Sequence, residues 1–189
     1  SADWNLVPFS NEVGAIPYTA QFIRSGIALD ANGVTSLAST QKFGNFQNSL
    51  LSELVTPYIL DLIDLATASC IVRKKNQYRL FFTGGSALYI TFKGDKVLGM
   101  TKVDLVNEVR CICSLEDSSS REVIYFGSSD GFVYQMDIGT SFNGEAISWR
   151  AEVAYNHFGS PRQLKTFRGA ATEMTGSSYA EFSFSYTLG

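Results

Sequence analysis

Apolar and polar residues alternate along most of this chain, and glycine-rich turns interrupt the alternation at short intervals. The pattern is clearest in Ile124-Tyr-Phe-Gly-Ser-Ser-Asp-Gly-Phe-Val-Tyr-Gln-Met136. Its apolar start is followed by Asp130 and Gly131, then by Phe132, Val133, Tyr134 and Met136. Asp-Gly between two apolar runs predicts a hairpin, because glycine accepts the positive φ that such turns need. A second glycine-punctuated turn, from Gly139 to Gly144, is expected to redirect the chain.

Residues 1–20 contain Pro8, Gly14 and Pro17 and read as an extended lead-in. Strands are expected over 21–29 and 34–37, with a turn at 30–33 and a polar-aromatic loop at 42–47. Pro57 suits a helix start, since its missing N–H has no intrahelical partner there. Tyr58, Ile59, Leu62, Leu65 and Ala66 keep helical spacing, so a helix is predicted over 57–66, packed between sheets.

Beyond it the pattern is strand, turn, strand. Strands are expected over 69–73, 77–82, 87–92 and 96–100, and Gly84 and Gly85 mark one of the turns. The same order returns over 109–115, 121–126 and 132–136. Phe81 to Tyr89 lies over Tyr125 to Tyr134 at an offset of about 45 residues, within the range of propeller blades built from four short strands.

The character changes after Gly144. Residues 145–155, 164–174 and 179–187 alternate over longer spans, with a turn ending at Pro161 and a candidate bulge at Gly169. Ala180, Phe182, Phe184 and Tyr186 share one face and are expected to meet a core. Long strands suit a sandwich or barrel. The predicted fold is therefore mainly β and antiparallel. Propeller-like hairpin blades occupy 21–144, with one short helix, and a β-sandwich or barrel-like terminal module occupies 145–189.

Composition adds constraints. The 189 residues suffice for one ordinary domain or two small ones. Charged residues make up only 17%, against a typical quarter, which fits a subunit whose surface is partly covered in an assembly. A net charge of −3 argues against a generally basic nucleic-acid binder and leaves room for a local basic face. Arg73, Lys74 and Lys75 form one basic cluster, and Arg162, Lys165 and Arg168 form another; both are candidate interface or DNA-facing positions. No apolar run reaches membrane-spanning length; residues 50–68 come nearest, and Ser52, Glu53, Asp61 and Asp64 break them up. The opening Ser1-Ala2-Asp3-Trp4 lacks a basic stretch followed by an apolar run, so no secretory leader is expected there. The chain opens in mid-pattern, as a processed product or a piece of a longer polypeptide would.

Candidate chemistry is sparse. Cys111 and Cys113 should share a strand face and are expected to pack in a core; Cys70 and the single His157 make a poor set of further zinc ligands. His157 reads as a turn residue, with no acid marked as its partner. Neither Gly127–Gly131 nor Thr83–Ser86 opens a helix, so neither reads as a phosphate cradle. Asp61 and Asp64 read as a solvated helix face, and Asp130 with Asp137 lacks the spacing of a calcium loop. No cofactor, metal or catalytic constellation is expected. An enzyme reading, such as a glycan-cleaving protein using Asp130 and Asp137, ranks last.

Four stretches occur in a recognisable order: Asn76-Gln-Tyr-Arg-Leu-Phe-Phe82, then Tyr125 to Tyr134, then Gly139-Thr-Ser-Phe-Asn-Gly-Glu-Ala-Ile147, then Phe158-Gly-Ser-Pro-Arg162 followed by Phe167-Arg168. Over residues 25–189 the chain resembles structural tail proteins of tailed bacteriophages, in particular the nozzle or tail-tubular protein of short-tailed phages and related tail-hub proteins. The resemblance implies a non-enzymatic virion protein, made in the host cytoplasm and placed in the tail. It implies copies arranged in a ring, often six-fold, around a DNA ejection channel. Other tail proteins would be its neighbours, and double-stranded DNA would pass without sequence-specific binding. Nozzle proteins are usually several times longer than this chain. The competing expectation is a propeller-type binding or adaptor module, holding a tail fibre, a host receptor or a glycan with loops 41–48, 83–86 and 127–131.

Overall fold

The computed structural model describes residues 14–37 and 50–152, together with 159, 162–164, 166, 168, 169, 171–175 and 181–185. The chain divides into two units, Ser1–Ser148 and Trp149–Gly189. The fold is mainly β, and every sheet is antiparallel.

In the first unit the strands follow chain order. β1 (Gln21–Phe22), β2 (Gly26–Asp30) and β3 (Gly33–Ser36) form a three-stranded sheet. β4 (Ala66–Val72), β5 (Gln77–Phe82), β6 (Ser86–Lys93) and β7 (Lys96–Asp104) form a four-stranded meander. β8 (Val109–Glu116), β9 (Glu122–Ser128) and β10 (Val133–Met136) form a three-stranded meander. β11 (Ser141–Phe142) and β12 (Glu145–Ala146) form a small hairpin.

The four-stranded sheet lies between two cores. Side chains alternate across a strand, and β5 shows the consequence. Tyr78, Leu80 and Phe82 enter one core with Ile27, Leu29 and Val34 of the first sheet. Phe81 enters the other with Val109, Ile124, Phe126 and Met136 of the third. Both faces of β5 are therefore covered, which explains why Tyr78 to Phe82 are buried without interruption, whereas the edge strand β7 buries no residue.

Three local readings change. The strand expected over 21–29 is two strands: the chain reverses at 23–25, where Arg24 has φ 125° and the Ile23 N–H reaches the Ser25 carbonyl. The helix expected over 57–66 is shorter. α1 (Thr56–Leu60) starts with Pro57 in its first turn and buries Ile59, and Ile63–Leu65 is a separate 3-10 turn. Ala66 instead pairs with Phe82, so sheet pairing ends the helical spacing early. The turn before Gly144 is a hairpin in its own right: Asn143 and Gly144 both have positive φ, as a two-residue turn of this twist needs.

The terminal segment departs most from expectation. Among the described residues after Ala146 none lies in a strand, and Gly169 is no bulge. Phe182 and Phe184, expected to face a core, are exposed. Alternation specifies a strand only where a neighbour supplies backbone partners and a face to bury, and the described residues of this unit supply neither. Loop 41–48, His157, Pro161 and Lys165 lie outside the described residues.

Candidate interaction ends of the sheet stack

Because β4 to β10 run antiparallel in order, their connections fall alternately at two ends of the stack. The first end gathers residues 73–76, 93–96 and 117–121 and the start of the segment after β10. The second gathers residues 61–65, 83–85, 105–108 and 128–132.

At the first end the turn after β4 sits beside the turn after β6, because the Phe92 N–H donates to the Asn76 carbonyl at 2.9 Å. Asn76 has φ 50°, a left-handed conformation that asparagine tolerates. Arg73 and Lys74 also serve through their backbone. Their N–H groups each donate at 2.8 Å to one oxygen of Glu122, at the start of β9, and Ser114 Oγ donates to it at 2.9 Å. Burial pushes this carboxyl up, but the backbone N–H groups of Lys74 and Arg73 and the Ser114 hydroxyl outweigh it and hold the pKa below the usual carboxylate range. The Arg73 and Lys74 side chains stay exposed, as do those of Lys93 and Lys96 in the adjoining turn.

Lys75 is engaged differently. Its Nζ lies 2.9 Å from Asp137 Oδ2, and Asp137 accepts two bonds from Arg79, at 3.0 and 2.8 Å. Arg79 is only 1% exposed and points from β5 toward the third sheet. Gln77 Oε1 accepts from its Nε and Nη2, and the guanidinium lies 4.3 Å from the Tyr89 ring centroid. Burial alone would raise the Asp137 pKa; the hydrogen bonds from Arg79 and Lys75 outweigh it and lower the value. Burial also pushes the nearby Cys70 thiol and Tyr89 phenol up to about 12, so both stay protonated at neutral pH. The cluster is a structural fastening across two sheets. Asp137 has φ 64°, so the chain turns away at the residue that is fastened.

At the second end, Thr83 Oγ1 donates to the Leu65 carbonyl at 3.2 Å, and Leu105 N–H donates to the Gly85 carbonyl at 2.9 Å. Gly85 has φ 86°, and a Cβ there would collide with the Leu105 carbonyl. Gly131 has the same φ but faces open space; Gly84, Gly139 and Gly144 also have positive φ. Asp130 closes its own loop, accepting from the Tyr134 hydroxyl at 2.7 Å, the Phe132 N–H at 3.0 Å and Asn107 Nδ2 at 2.9 Å. Tyr134 first, and then the Phe132 N–H, hold its carboxyl below the ordinary range. This end is also apolar on its surface: Leu60, Leu65, Val106 and Phe132 are exposed, Phe132 at 67%. Charges of both signs lie at this end: Asp61 and Asp64 are exposed, Lys102 pairs with Asp104 at 3.6 Å, and Arg110 pairs with Glu108 at 2.9 Å.

The structure thus brings Arg73, Lys74 and Lys75 together with Lys93 and Lys96, which sequence reading left out because they lie in a different turn. Arg162 and Arg168 are exposed residues of the second unit. Asp130 and Asp137 lie beyond opposite ends of β10, each held by its own donors, and do not form an acid pair. Cys111 and Cys113 do share a face, opposite Gly127 and Tyr125, but that face is exposed and only Cys70 is buried. The Arg79–Asp137 pair had no sequence signal, since its members are 58 positions apart. Among the described residues no group of His, Cys, Asp and Glu is placed to hold a metal ion, and no helix is long and apolar enough to cross a membrane. No protein-family model, curated protein or solved structure matches the chain.

Proposed function

We propose that this chain is a structural virion protein of a bacteriophage tail, a nozzle, tail-tube or hub component that forms part of a ring around the DNA ejection channel. The observation that carries the reading is the sheet stack. Three antiparallel sheets follow one another in chain order and share two cores, so that the interior strands of the four-stranded sheet are covered on both sides. Such packing is how neighbouring propeller blades bury one another, and it agrees with the ordered motifs that resemble nozzle and tail-hub proteins. The acids best placed for chemistry, Asp130, Asp137 and Glu122, are each engaged by hydrogen-bond donors within the fold. That suits a scaffold better than a catalyst. The three-stranded sheet has a second face, with Cys111, Cys113 and Tyr125 exposed, which suits coverage by a neighbour.

The test is negative-stain electron microscopy of the purified chain, supported by mass photometry. Closed rings with an axial channel support the proposal. A monomer that binds a tail fibre or a host glycan through residues 83–86 and 127–131 would support the adaptor reading instead, which the exposed Phe132 beside that second loop favours.

A further inference from the structure

The two edges of the four-stranded sheet differ. At one, Ala68 to Val72 of β4 are buried, Gln21 Nε2 donates to the Ser69 carbonyl at 3.0 Å, and Thr67 Oγ1 donates to the Val109 carbonyl at 2.6 Å. At the other, β7 runs for nine residues and buries none of them. Among the described residues no strand pairs along its outer side, and no backbone bond joins residues 96–104 to any element but β6. A long open edge presents a row of unpaired N–H and carbonyl groups, and the partner that fits it is an extended chain segment. β7 also borders both cores. Val97 and Met100 lie half-covered against the first, and Val103 lies against the second, on the side of Gly99 and Thr101. β8 is the other long edge, but Thr67 already takes its Val109 carbonyl and only one of its faces borders a core.

The chain itself carries a segment of the fitting kind. Residues 179–187 match β7 in length, with Ala180, Phe182, Phe184 and Tyr186 on one side and Tyr179, Glu181, Ser183, Ser185 and Thr187 on the other. Residues 181–185 lie in no strand, and Phe182 and Phe184 are exposed, so a half-buried strand pattern stands there without a sheet. We propose that residues 179–187 of one copy add as a further strand along β7 of a neighbouring copy. The apolar side then extends the first core at Val97 and Met100, and the polar side falls with Gly99 and Thr101. Every copy has both an edge and a segment, so each gives one strand and receives one. Such a heterologous contact closes into a ring when the rotation between copies allows and otherwise runs on as a filament. The inference rests on the ring reading above and names the contact between neighbours in that ring.

The experiment uses the full chain and a double variant at exposed positions, Phe182→Ser with Phe184→Ser, its fold checked against the parent by circular dichroism and cooperative unfolding. Mass photometry reads association, and hydrogen exchange with mass spectrometry reads the amides of 96–104, 109–116 and 179–187 across a dilution series. The expected result is slowed exchange at 96–104 and 179–187 together, only where the chain associates. The double variant should associate at least about tenfold more weakly, because two phenylalanines lose their cover. A synthetic peptide of residues 177–189 should compete with association of the parent, and the same peptide with both serines should not; this arm decides the matter independently of the variant. Rings that form equally well in the double variant, or without protection at 96–104, overturn the inference and leave the ring reading standing. Protection at 109–116 in place of 96–104 does the same, by moving the segment to β8. Linear chains that need Phe182 and Phe184 and never close uphold the inference and overturn the ring. A chain that stays monomeric at every concentration overturns both, whether or not 96–104 are protected.

Discussion

The four-stranded sheet β4–β7 and the three-stranded sheet β8–β10 are built from the same strand-turn-strand pattern, yet they sit in different surroundings. In the first, β5 is covered on both faces, so Tyr78 to Phe82 are buried without a break and the inward charge among them, Arg79, is tied to Asp137, Gln77 and Tyr89, while the edge strand β7 stays largely exposed. The second is covered on one face, so Ile124, Phe126 and Met136 are buried while Cys111, Cys113 and Tyr125 meet solvent. The difference teaches that burial here is set by position in the stack rather than by the strand's own composition. A charge buried from both sides has to be paired, whereas an apolar side chain on an uncovered face is tolerated until a partner arrives.

The largest effect expected from breaking this contrast is at the fastening between the two sheets. Asp137→Ala leaves Arg79 buried without its carboxylate and should cost about 3–5 kcal/mol in urea unfolding. A cost under about 1 kcal/mol would show that Gln77 alone satisfies the guanidinium. Next come paired truncations. Leu80→Ala, in the doubly covered β5, should cost about 2–5 kcal/mol, while Tyr125→Ala, on the uncovered face, should stay within about 0.5 kcal/mol. Equal costs would remove the contrast. The two superposable hairpins supply a finer version. Gly85 and Gly131 share φ 86°, but only Gly85 is walled in by Leu105. Gly131→Ala should cost about 1–2 kcal/mol from backbone strain alone, and Gly85→Ala more than that.

Two milder probes complete the series. Glu122 and Asp137 both have folded-state pKa values below their ordinary ones. Their contribution is therefore complete above the unfolded carboxylate range of about 4 and is lost as pH falls through the lower folded values. Unfolding free energy measured against pH should decline on the acid side, and Glu122→Gln should flatten part of the decline. Finally, Cys111 and Cys113 should react with a disulfide reagent in the native chain, and Cys70 only after unfolding. Three fast thiols would place Cys70 at the surface.

The hairpin rhythm was legible because a strand's side chains alternate with a period of two and glycine marks its turns. The expected strands at 77–82, 87–92 and 121–126 stand within a residue or two of β5, β6 and β9. Local pattern failed where a distant partner decided the outcome. Ala66 keeps helical spacing with Leu62, yet it is recruited into β4 by Phe82. Residues 23–25 read as mid-strand, and the reversal there lets β1 return along β2. Cys111 and Cys113 were rightly assigned to one face, but periodicity does not say which face is covered. The lysine-bearing turns were half visible: Arg73, Lys74 and Lys75 adjoin in sequence, while the turn of Lys93 and Lys96 meets theirs only through the bond between Phe92 and Asn76.

The sequence by itself determined the β class, the order of the hairpins and most turn positions, because these follow from side-chain period and from which residues accept a left-handed backbone. Tertiary structure alone decided the order in which the sheets stack, the pairing of Arg79 with Asp137 and the meeting of the turns at 73–76 and 93–96. Those depend on contacts between residues far apart in the chain, and a local pattern carries no information about its distant neighbour.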